Sequence, residues 1–218
     1  MPDDARAPTD HERRAGRPWD DSYRSGPAPW DLGRPQPAVV RLADRDAFSG
    51  SVLDAGCGTG EQALEIATRG CEVFGIDIAP TAIAQAREKA AGRQINATFL
   101  VGDALKLERL ARTFDRVLDV GLFHTFDDDE RGTYVESLGS VTRPGSVLNL
   151  LCFSEATPGT DGPRRVTQAE LRTAFASGWN VLSIVPDRIE INPAWVNEDA
   201  PPWMSDGAAA WLATIERT

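Results

Sequence analysis

The sequence predicts an α/β fold in which a parallel β-sheet carries helices on both faces. Short apolar segments alternate along the chain with segments of helical periodicity. A glycine-rich turn, residues 56–60, joins the first apolar segment directly to a helical one. Acidic residues, Asp77 and Asp103, end the next two apolar segments. Helical crossovers between parallel strands are right-handed, so we expect these residues to meet at the carboxyl ends of the strands.

Strands are predicted where a run of apolar residues is bounded by turn residues. The predicted strands are residues 51–55, 71–76, 96–101, 115–120, 146–153, 179–189 and 208–216. The alanines of the last segment would also suit a helix, but no helical segment separates it from the strand before it. We therefore expect two adjacent strands at the C-terminal end of the chain.

Helices are predicted where apolar residues recur at helical spacing behind a suitable first residue. The predicted helices are residues 36–48, 61–69, 80–91, 127–141 and 167–176. Pro80 suits the first position of a helix, and Asp127 begins an acidic first turn that favours the helix dipole. Thr167 is followed three residues later by Glu170, which is the pattern of a capping box.

The chain of 218 residues suits one domain with a complete hydrophobic core. Residues 1–18 are polar and charged without apolar periodicity, and they predict a disordered or flexible N-terminal arm. Residues 19–218 form the predicted domain. Its first part, residues 19–48, combines aromatic side chains with proline and glycine, which predicts a lid followed by a helix.

The overall composition disfavours several classes of partner. A formal net charge of −10 disfavours nucleic acids and anionic membrane surfaces, because both attract clustered lysine and arginine. We find no apolar run long enough to span a membrane and no signal-peptide pattern. The three cysteines contain no C-x-x-C pair, which favours a reducing, cytoplasmic location. With only two histidines, His11 and His124, a histidine-based metal site is not expected.

The spacing of the glycine turn decides which ligand it fits. A dinucleotide fingerprint would need a third glycine where Glu61 stands, and the phosphate-binding Walker pattern is absent. An anionic side chain in the first turn of the helix is also unsuited to a pyrophosphate. The pattern D-x-G-x-G-x-G, which begins at Asp54, resembles motif I of the class I S-adenosylmethionine-dependent methyltransferases. In that family the turn lies beneath a cationic amino-acid moiety.

This resemblance implies a Rossmann-like, doubly wound sheet of seven strands in the order 3-2-1-4-5-7-6, with strand 7 antiparallel. It also implies S-adenosylmethionine as the cofactor and S-adenosylhomocysteine as the product. Asp77 lies 21 positions after Gly56, where a carboxylate binds ribose hydroxyls, although the same aspartate would also cap the helix that follows. By resemblance, Asp103 accepts from the adenine amino group and the next backbone N–H, that of Ala104, serves the ring. The predicted cofactor-binding residues are Trp30, Asp54, Gly56, Cys57, Gly58, Gly60, Asp77, Ile78, Asp103, Ala104 and Val120.

Three further segments resemble a narrower branch of the family. They are residues 28–37 near the N-terminus, which include Pro29-Trp30-Asp31, residues 122–126 after the predicted fourth strand, and residues 162–166. They are similar to segments of the thiopurine, halide and thiol methyltransferase-like group, which includes bacterial enzymes acting on heterocyclic aromatic molecules. The resemblance covers residues 19–218.

Methyl transfer from a sulfonium is an in-line displacement that needs a nucleophile about 3–3.5 Å from the methyl carbon and exclusion of water. Trp30 is the candidate for an aromatic wall beside the sulfonium, and lid packing alone is its alternative. His124 is the candidate catalytic residue, either as a general base that removes the acceptor's proton or as a packed side chain.

The candidates for binding the methyl acceptor are Phe123, Arg164, Trp195 and Trp203. Arg164 would hold an anionic substituent or form a surface ion pair. The two tryptophans would line a pocket for a flat apolar molecule, pack within their loop, or form a dimer contact. The sequence therefore predicts methyl transfer to O, S or N of a small aromatic or heterocyclic molecule. The alternatives are a quinone or lipid-precursor methyltransferase of the same fold and a non-catalytic S-adenosylmethionine-binding sensor or scaffold.

Overall fold

The structure, a computed structural model, describes residues 6–160 and 162–218. Its centre is a seven-stranded sheet in the order β3-β2-β1-β4-β5-β7-β6, which confirms the predicted fold class. Strand β7 is antiparallel to both of its neighbours, and the other neighbouring pairs are parallel. The strands are β1 Ser51–Ala55, β2 Glu72–Asp77, β3 Thr98–Val101, β4 Phe114–Val120, β5 Thr142–Phe153, β6 Trp179–Ile189 and β7 Ala208–Arg217.

The register of the parallel strands brings their carboxyl ends to one edge of the sheet. Ala55, the last residue of β1, pairs with Ile76 of β2 and with Asp119 of β4. Asp77, the last residue of β2, pairs with Val101, the last residue of β3. The segments that follow β1 to β4 therefore begin side by side, as the sequence predicts.

Helices cover both faces of the sheet. They are α1 Asp10–Ala15, α2 Asp21–Arg24, α3 Pro37–Ala43, α4 Glu61–Thr68, α5 Pro80–Arg93, α6 Asp128–Ser140, α7 Gln168–Ala174 and α8 Trp203–Asp206. The capping boxes at Asp127 and Thr167 are present, since each side chain accepts from the backbone N–H three residues on. No helix in the described part of the chain is both long and apolar enough to cross a membrane.

The core lies on the two sides of the sheet. Leu53 and Val117 face a cluster that includes Tyr134 and Leu138 of α6. Val52 and Leu118, the sequence neighbours of Leu53 and Val117, lie on the opposite face of the sheet. There they belong to a second cluster with side chains of α3, α4 and α5. This alternation along central strands explains why β1 and β4 consist mainly of apolar residues.

The alanine-rich segment at the C-terminus is a strand because both of its edges are paired. Ala210 pairs with Phe153 of β5 on one side and with Asp187 of β6 on the other. The small side chains of Ala208, Ala210 and Ala213 are buried. Tertiary pairing thus outweighs the intrinsic preference of alanine for helices.

The N-terminal arm differs from the prediction. Residues 1–5 lie outside the described ranges, but residues 10–15 form α1, with a capping box between Thr9 and Glu12. The arm is tied to the first turn of α6: the backbone N–H of Asp10 donates to Glu130 at 2.9 Å, and Arg13 pairs with Asp127 at 2.7 Å. The predicted disordered arm is therefore replaced, over residues 6–18, by a segment with local capping and a partner helix.

Candidate active site

A cavity of about 420 Å³ lies at the carboxyl edge of the sheet. One part, here called the glycine end, is lined by residues that follow β1, β2 and β3, namely Gly56, Gly58, Asp77 and Asp103. The other part, here called the aromatic end, is lined by His124, Phe126, Phe153 and Trp203. The N-terminal arm and the lid line the same cavity. The two ends thus form one continuous space.

The glycine turn presents bare backbone to the cavity. Gly56 and Gly58 have φ values of 72° and 52°, a region that favours glycine. A Cβ at Gly58 would lie 3.2 Å from the hydroxyl oxygen of Tyr23, and one at Gly56 would lie 3.1 Å from Leu122. A side chain at either position would crowd these neighbours, so the turn keeps bare backbone on the cavity wall.

Asp77 has a structural role as well as a place on the cavity wall. Its Oδ2 accepts from the backbone N–H of Gly58 at 2.8 Å, and its Oδ1 accepts from that of Ala79 at 2.9 Å. Burial raises the pKa of this carboxyl, and the two backbone donors oppose that shift. Asp77 therefore holds the glycine turn against the start of α5, and it lies on the cavity wall.

Asp103 carries an oxygen without a partner. Its Oδ1 accepts from the backbone N–H of Leu105 at 2.9 Å. Its Oδ2 is buried and has no hydrogen-bond partner within the described residues, although the side chain lines the cavity. A buried acceptor left open in this way fits a ligand with an N–H donor, such as the amino group of an adenine. This position fits the expected cofactor.

Two buried carboxyls lie behind the cavity wall. Asp54 is not among the lining residues, and burial, followed by the nearby Asp119 and Asp77, raises its pKa to about 8. Burial raises the pKa of Asp119 to about 7, while backbone and tyrosine donors oppose the shift. Asp119 accepts from the backbone N–H of Leu122 at 2.8 Å and from the hydroxyl of Tyr134 at 3.0 Å. It thereby shapes the short 3₁₀ turn of residues 123–125.

The lid is attached to the glycine turn. The hydroxyl of Thr59 donates to Asp31 at 3.0 Å, and the indole N–H of Trp30 donates to the hydroxyl of Tyr23 at 2.9 Å. The ring of Trp19 meets the ring of Trp30 edge-on, with the centroids 5.5 Å apart. Trp30 therefore lines the cavity within an aromatic cluster, as expected of a lid.

His124 is buried, with 4% of its surface exposed. Its Nδ1 accepts from the backbone N–H of Phe153 at 2.9 Å, so the proton of the neutral ring resides on Nε2. Burial, followed by the charges of His11, Arg131 and Arg165, lowers the pKa of His124 to about 3. The ring therefore reaches the cavity as a hydrogen-bond donor. This geometry favours the packed side chain over the general base, because the acceptor lone pair is already engaged.

His11 is one of the wall residues that sequence reasoning missed, as are Phe126 and Phe153 of the aromatic end. His11 lies on α1, lines the cavity, and stacks on the ring of Trp19 with the centroids 4.3 Å apart and the planes 8° from parallel. The polar composition of residues 1–18 led to a prediction of disorder. The capping-box pattern Thr9-x-x-Glu12 was the signal that indicated a helix there.

The other predicted residues divide into those on the cavity wall and those away from it. The wall includes the predicted residues Trp30, Gly56, Cys57, Gly58, Asp77, Ile78, Asp103, Ala104, Val120, His124 and Trp203. Asp54, Gly60, Phe123, Arg164 and Trp195 are not on it. A Cβ at Gly60 would lie 2.9 Å from atoms of Ala86 and Phe99, so this glycine serves the packing of α4 and α5.

The three acceptor-side candidates away from the wall have other partners. Phe123 is fully buried and packs on Phe175, with the ring centroids 5.9 Å apart. The guanidinium of Arg164 donates to Asp128 at 2.9 Å, which is the ion-pair alternative. Trp195 is 47% exposed, and its indole N–H donates to the backbone carbonyl of Pro27 at 2.9 Å. The structure thus places all three away from the cavity wall, which favours the ion pair for Arg164 and packing for the two aromatic residues.

Comparison with known proteins agrees with this geometry. The profile of a methyltransferase domain family matches residues 52–145. The chain is 35% identical over 203 residues to 2-heptyl-1-hydroxyquinolin-4(1H)-one methyltransferase of Mycobacteroides abscessus, covering 87% of this chain and 88% of the relative. It is 28% identical over 190 residues to a protein of Arabidopsis thaliana named probable thiol methyltransferase 2, covering 85% and 83%.

A solved structure is also similar over nearly the whole fold. It comes from work on the conversion of a disulfide bond into a thioacetal group during echinomycin biosynthesis. It superposes with a TM-score of 0.80 at 36% identity and covers 91% of each chain. The likeness therefore extends beyond the methyltransferase-domain match to the N-terminal and C-terminal segments that complete the cavity.

Proposed function

Because the chain belongs to the class I S-adenosylmethionine-dependent methyltransferases of the thiol and small-molecule type, we propose that it methylates O, S or N of a small aromatic or heterocyclic molecule. The observation that carries this proposal is that one continuous cavity of about 420 Å³ has both a polar glycine end and an apolar aromatic end. A cavity of this size suits a cofactor together with a small acceptor.

The glycine end would hold the cofactor. The open Oδ2 of Asp103 and the backbone of Ala104 would bind the adenine, and Asp77 would bind the ribose hydroxyls. The bare backbone at Gly56 and Gly58 would lie beneath the methionine part, with Trp30 of the lid over it. When bound, S-adenosylmethionine supplies a methyl group activated by a positively charged sulfur.

The aromatic end would hold the acceptor. Phe153 meets His124 at a centroid distance of 4.7 Å and Trp203 at 5.9 Å, so the three rings form a connected wall. Apolar walls favour a flat apolar molecule and exclude water from the reacting atoms. The Nε2–H of His124 would donate to an oxygen or another acceptor atom of that molecule and so orient it.

The names of two relatives indicate which acceptors to test first. One relative is named for a hydroxyquinolone and the other for thiols. The purified protein should therefore be incubated with S-adenosylmethionine and a panel containing N-hydroxy heterocycles, phenols, aromatic thiols and a short-chain hydroquinone. We expect S-adenosylhomocysteine to form with at least one of the N-hydroxy heterocycles, phenols or aromatic thiols, with omission of the acceptor as the control.

Two outcomes of that assay would contradict the proposal. Binding of S-adenosylmethionine without product from any member of the panel would favour the sensor or scaffold. Product from the hydroquinone alone would favour a quinone methyltransferase. The NMR chemical shift of the new methyl group in the isolated product identifies the acceptor atom directly.

A further inference from the structure

His11 and His124, the two histidines of the chain, both line the cavity. His11 faces the cavity from α1, while His124 faces it from the turn after β4. The backbone N–H of Asp10, the residue before His11, donates to Glu130 at 2.9 Å, and the helix of Glu130 begins just after Phe126, which lines the aromatic end. His11 is therefore near the aromatic end, although it comes from the N-terminal arm.

The nitrogens of His11 are available. Within residues 6–160 and 162–218, neither ring nitrogen takes part in a hydrogen bond, and the contact that orients the ring is its stack on Trp19. Stacking fixes the plane of the imidazole without engaging its nitrogen lone pair. By contrast, the hydrogen bond from Phe153 engages the lone pair of His124.

The carboxylates on the cavity wall are engaged elsewhere. Asp31 accepts from Thr59, and Asp77 accepts from Gly58 and Ala79. Glu61 pairs with Lys89 at 2.9 Å and with Arg93 at 2.8 Å. Asp103 lies at the glycine end, beside the expected adenine. His11 is thus the titratable group on the described wall that combines an uncommitted lone pair with a place at the aromatic end.

His11 also has a route for releasing a proton. Besides the main cavity, it lines a smaller outer hollow of about 80 Å³, whose wall includes Arg17 and the exposed Trp195. Desolvation, followed by the charge of Arg14, lowers the pKa of His11, while Asp10 and Glu12 oppose the shift. Arg17 on the arm also lowers the pKa of His11, and Arg131 and Arg165 lower that of His124. The ring of His11 is accordingly neutral, and able to accept a proton, near neutral pH.

We propose that His11 is the general base, accepting the proton of a hydroxyl or thiol acceptor during methyl transfer; this inference rests on the proposed function. The O–H or S–H bond breaks as its proton moves to the free imidazole nitrogen. The lone pair left on oxygen or sulfur forms the bond to the methyl carbon, and the carbon–sulfur pair remains on the departing thioether sulfur. The imidazolium then loses its proton to water through the outer hollow.

The test compares acceptors of different acidity in two variants. His11→Phe keeps an aromatic ring to stack on Trp19 but has no titratable nitrogen, and Arg14→Gln removes the charge that lowers the pKa of His11. For a phenol that is protonated at the assay pH, we expect His11→Phe to lower kcat/KM by about 10²-fold or more. For a nitro-substituted phenol that is already ionised, we expect a loss below about 3-fold, because no proton has to be removed.

Arg14→Gln gives an independent readout. If His11 is the base, the acidic limb of the wild-type pH profile follows its pKa, and this variant moves the limb to higher pH. Equal losses with both phenols in His11→Phe, or a pH limb that Arg14→Gln leaves in place, would assign His11 to packing alone and overturn the inference.

A binding measurement tests His11 without turnover, which separates this inference from the proposed function. The imidazole resonances of His11 are titrated by NMR in the presence of S-adenosylhomocysteine, with and without the nitrophenol. Contact with the phenolate should raise the pKa of His11, since a nearby negative charge favours the imidazolium. An unchanged titration with the nitrophenol bound would overturn the inference, even if the enzyme methylates other members of the panel.

Discussion

Replacing Asp103 with asparagine changes one atom at the glycine end of the cavity from an oxygen to an amide nitrogen. The Oδ1 that accepts from Leu105 can stay in place, so the turn after β3 keeps its hydrogen bond. The buried Oδ2, which lacks a partner, becomes an N–H donor. An adenine amino group at this position would then meet a donor where it needs an acceptor.

The size of the effect follows from the charge of the acceptor. A hydrogen bond to a charged group contributes about 1.5–3 kcal/mol, so affinity for S-adenosylhomocysteine should fall by about 10- to 150-fold. Calorimetric titration measures this directly. Urea unfolding should show a change in stability within about 0.5 kcal/mol, since no packing is lost. Asp129→Asn, an exposed acidic residue of α6, serves as the control for the loss of one charge.

A modified ligand makes the test specific to this atom pair. In an analogue with a carbonyl oxygen in place of the adenine amino group, the new amide of Asp103→Asn can donate to that oxygen. The variant should therefore bind the analogue better than the wild-type protein does. The adenine assignment of Asp103 is refuted if wild type and variant bind S-adenosylhomocysteine equally, or if the variant still prefers the amino ligand.

Three other predictions concern the core, the pH dependence of stability and the arm. Phe123→Ala should lower the free energy of unfolding by about 3–5 kcal/mol and leave the KM for the acceptor unchanged, because Phe123 is buried in the core. A raised KM without loss of stability would instead show that Phe123 binds the acceptor. The pKa of His124 is about 3 in the folded state and near 6.5 when unfolded, so the unfolded chain binds the extra proton between these values. The free energy of unfolding should therefore rise by at most about 4–5 kcal/mol from pH 3 to 6.5. In the variant His124→Gln, urea unfolding measured at several pH values should show a smaller rise. Glu130→Ala should speed tryptic cleavage within residues 13–17, because Glu130 accepts hydrogen bonds from Asp10 and Arg13 of the arm. Glu136→Ala, at an exposed position on the same helix, is the control and should leave the cleavage rate unchanged.

Local signals in the sequence were sufficient for much of the fold and of the glycine end. The turn at residues 56–60 has the positive φ values that its glycines predict, and Asp77 and Asp103 end their segments at the same sheet edge. The capping box at Thr167 forms as predicted. These features depend on residues close in sequence or on the rule that parallel strands end together, so they can be read before the chain is folded.

The roles of several aromatic and charged residues depended on distant contacts. Phe123 and His124 are neighbours in sequence, yet one packs into the core and the other lines the cavity. The direction of each side chain is set by the 3₁₀ turn that Asp119 holds. Trp195 and Trp203 lie in one proline-rich segment, but only Trp203 meets Phe153.

The sequence by itself determined the order of strands and helices, the glycine turn and the acidic residues at the strand ends, because each is encoded by local pattern and spacing. Only the tertiary structure decided the protonation of the two histidines. The backbone N–H that engages His124 comes from Phe153 at the end of β5, and the acidic residues that hold the arm of His11 belong to the first turn of α6. Whether an imidazole donates or accepts depends on what lies beside each nitrogen, and those neighbours are distant in the chain.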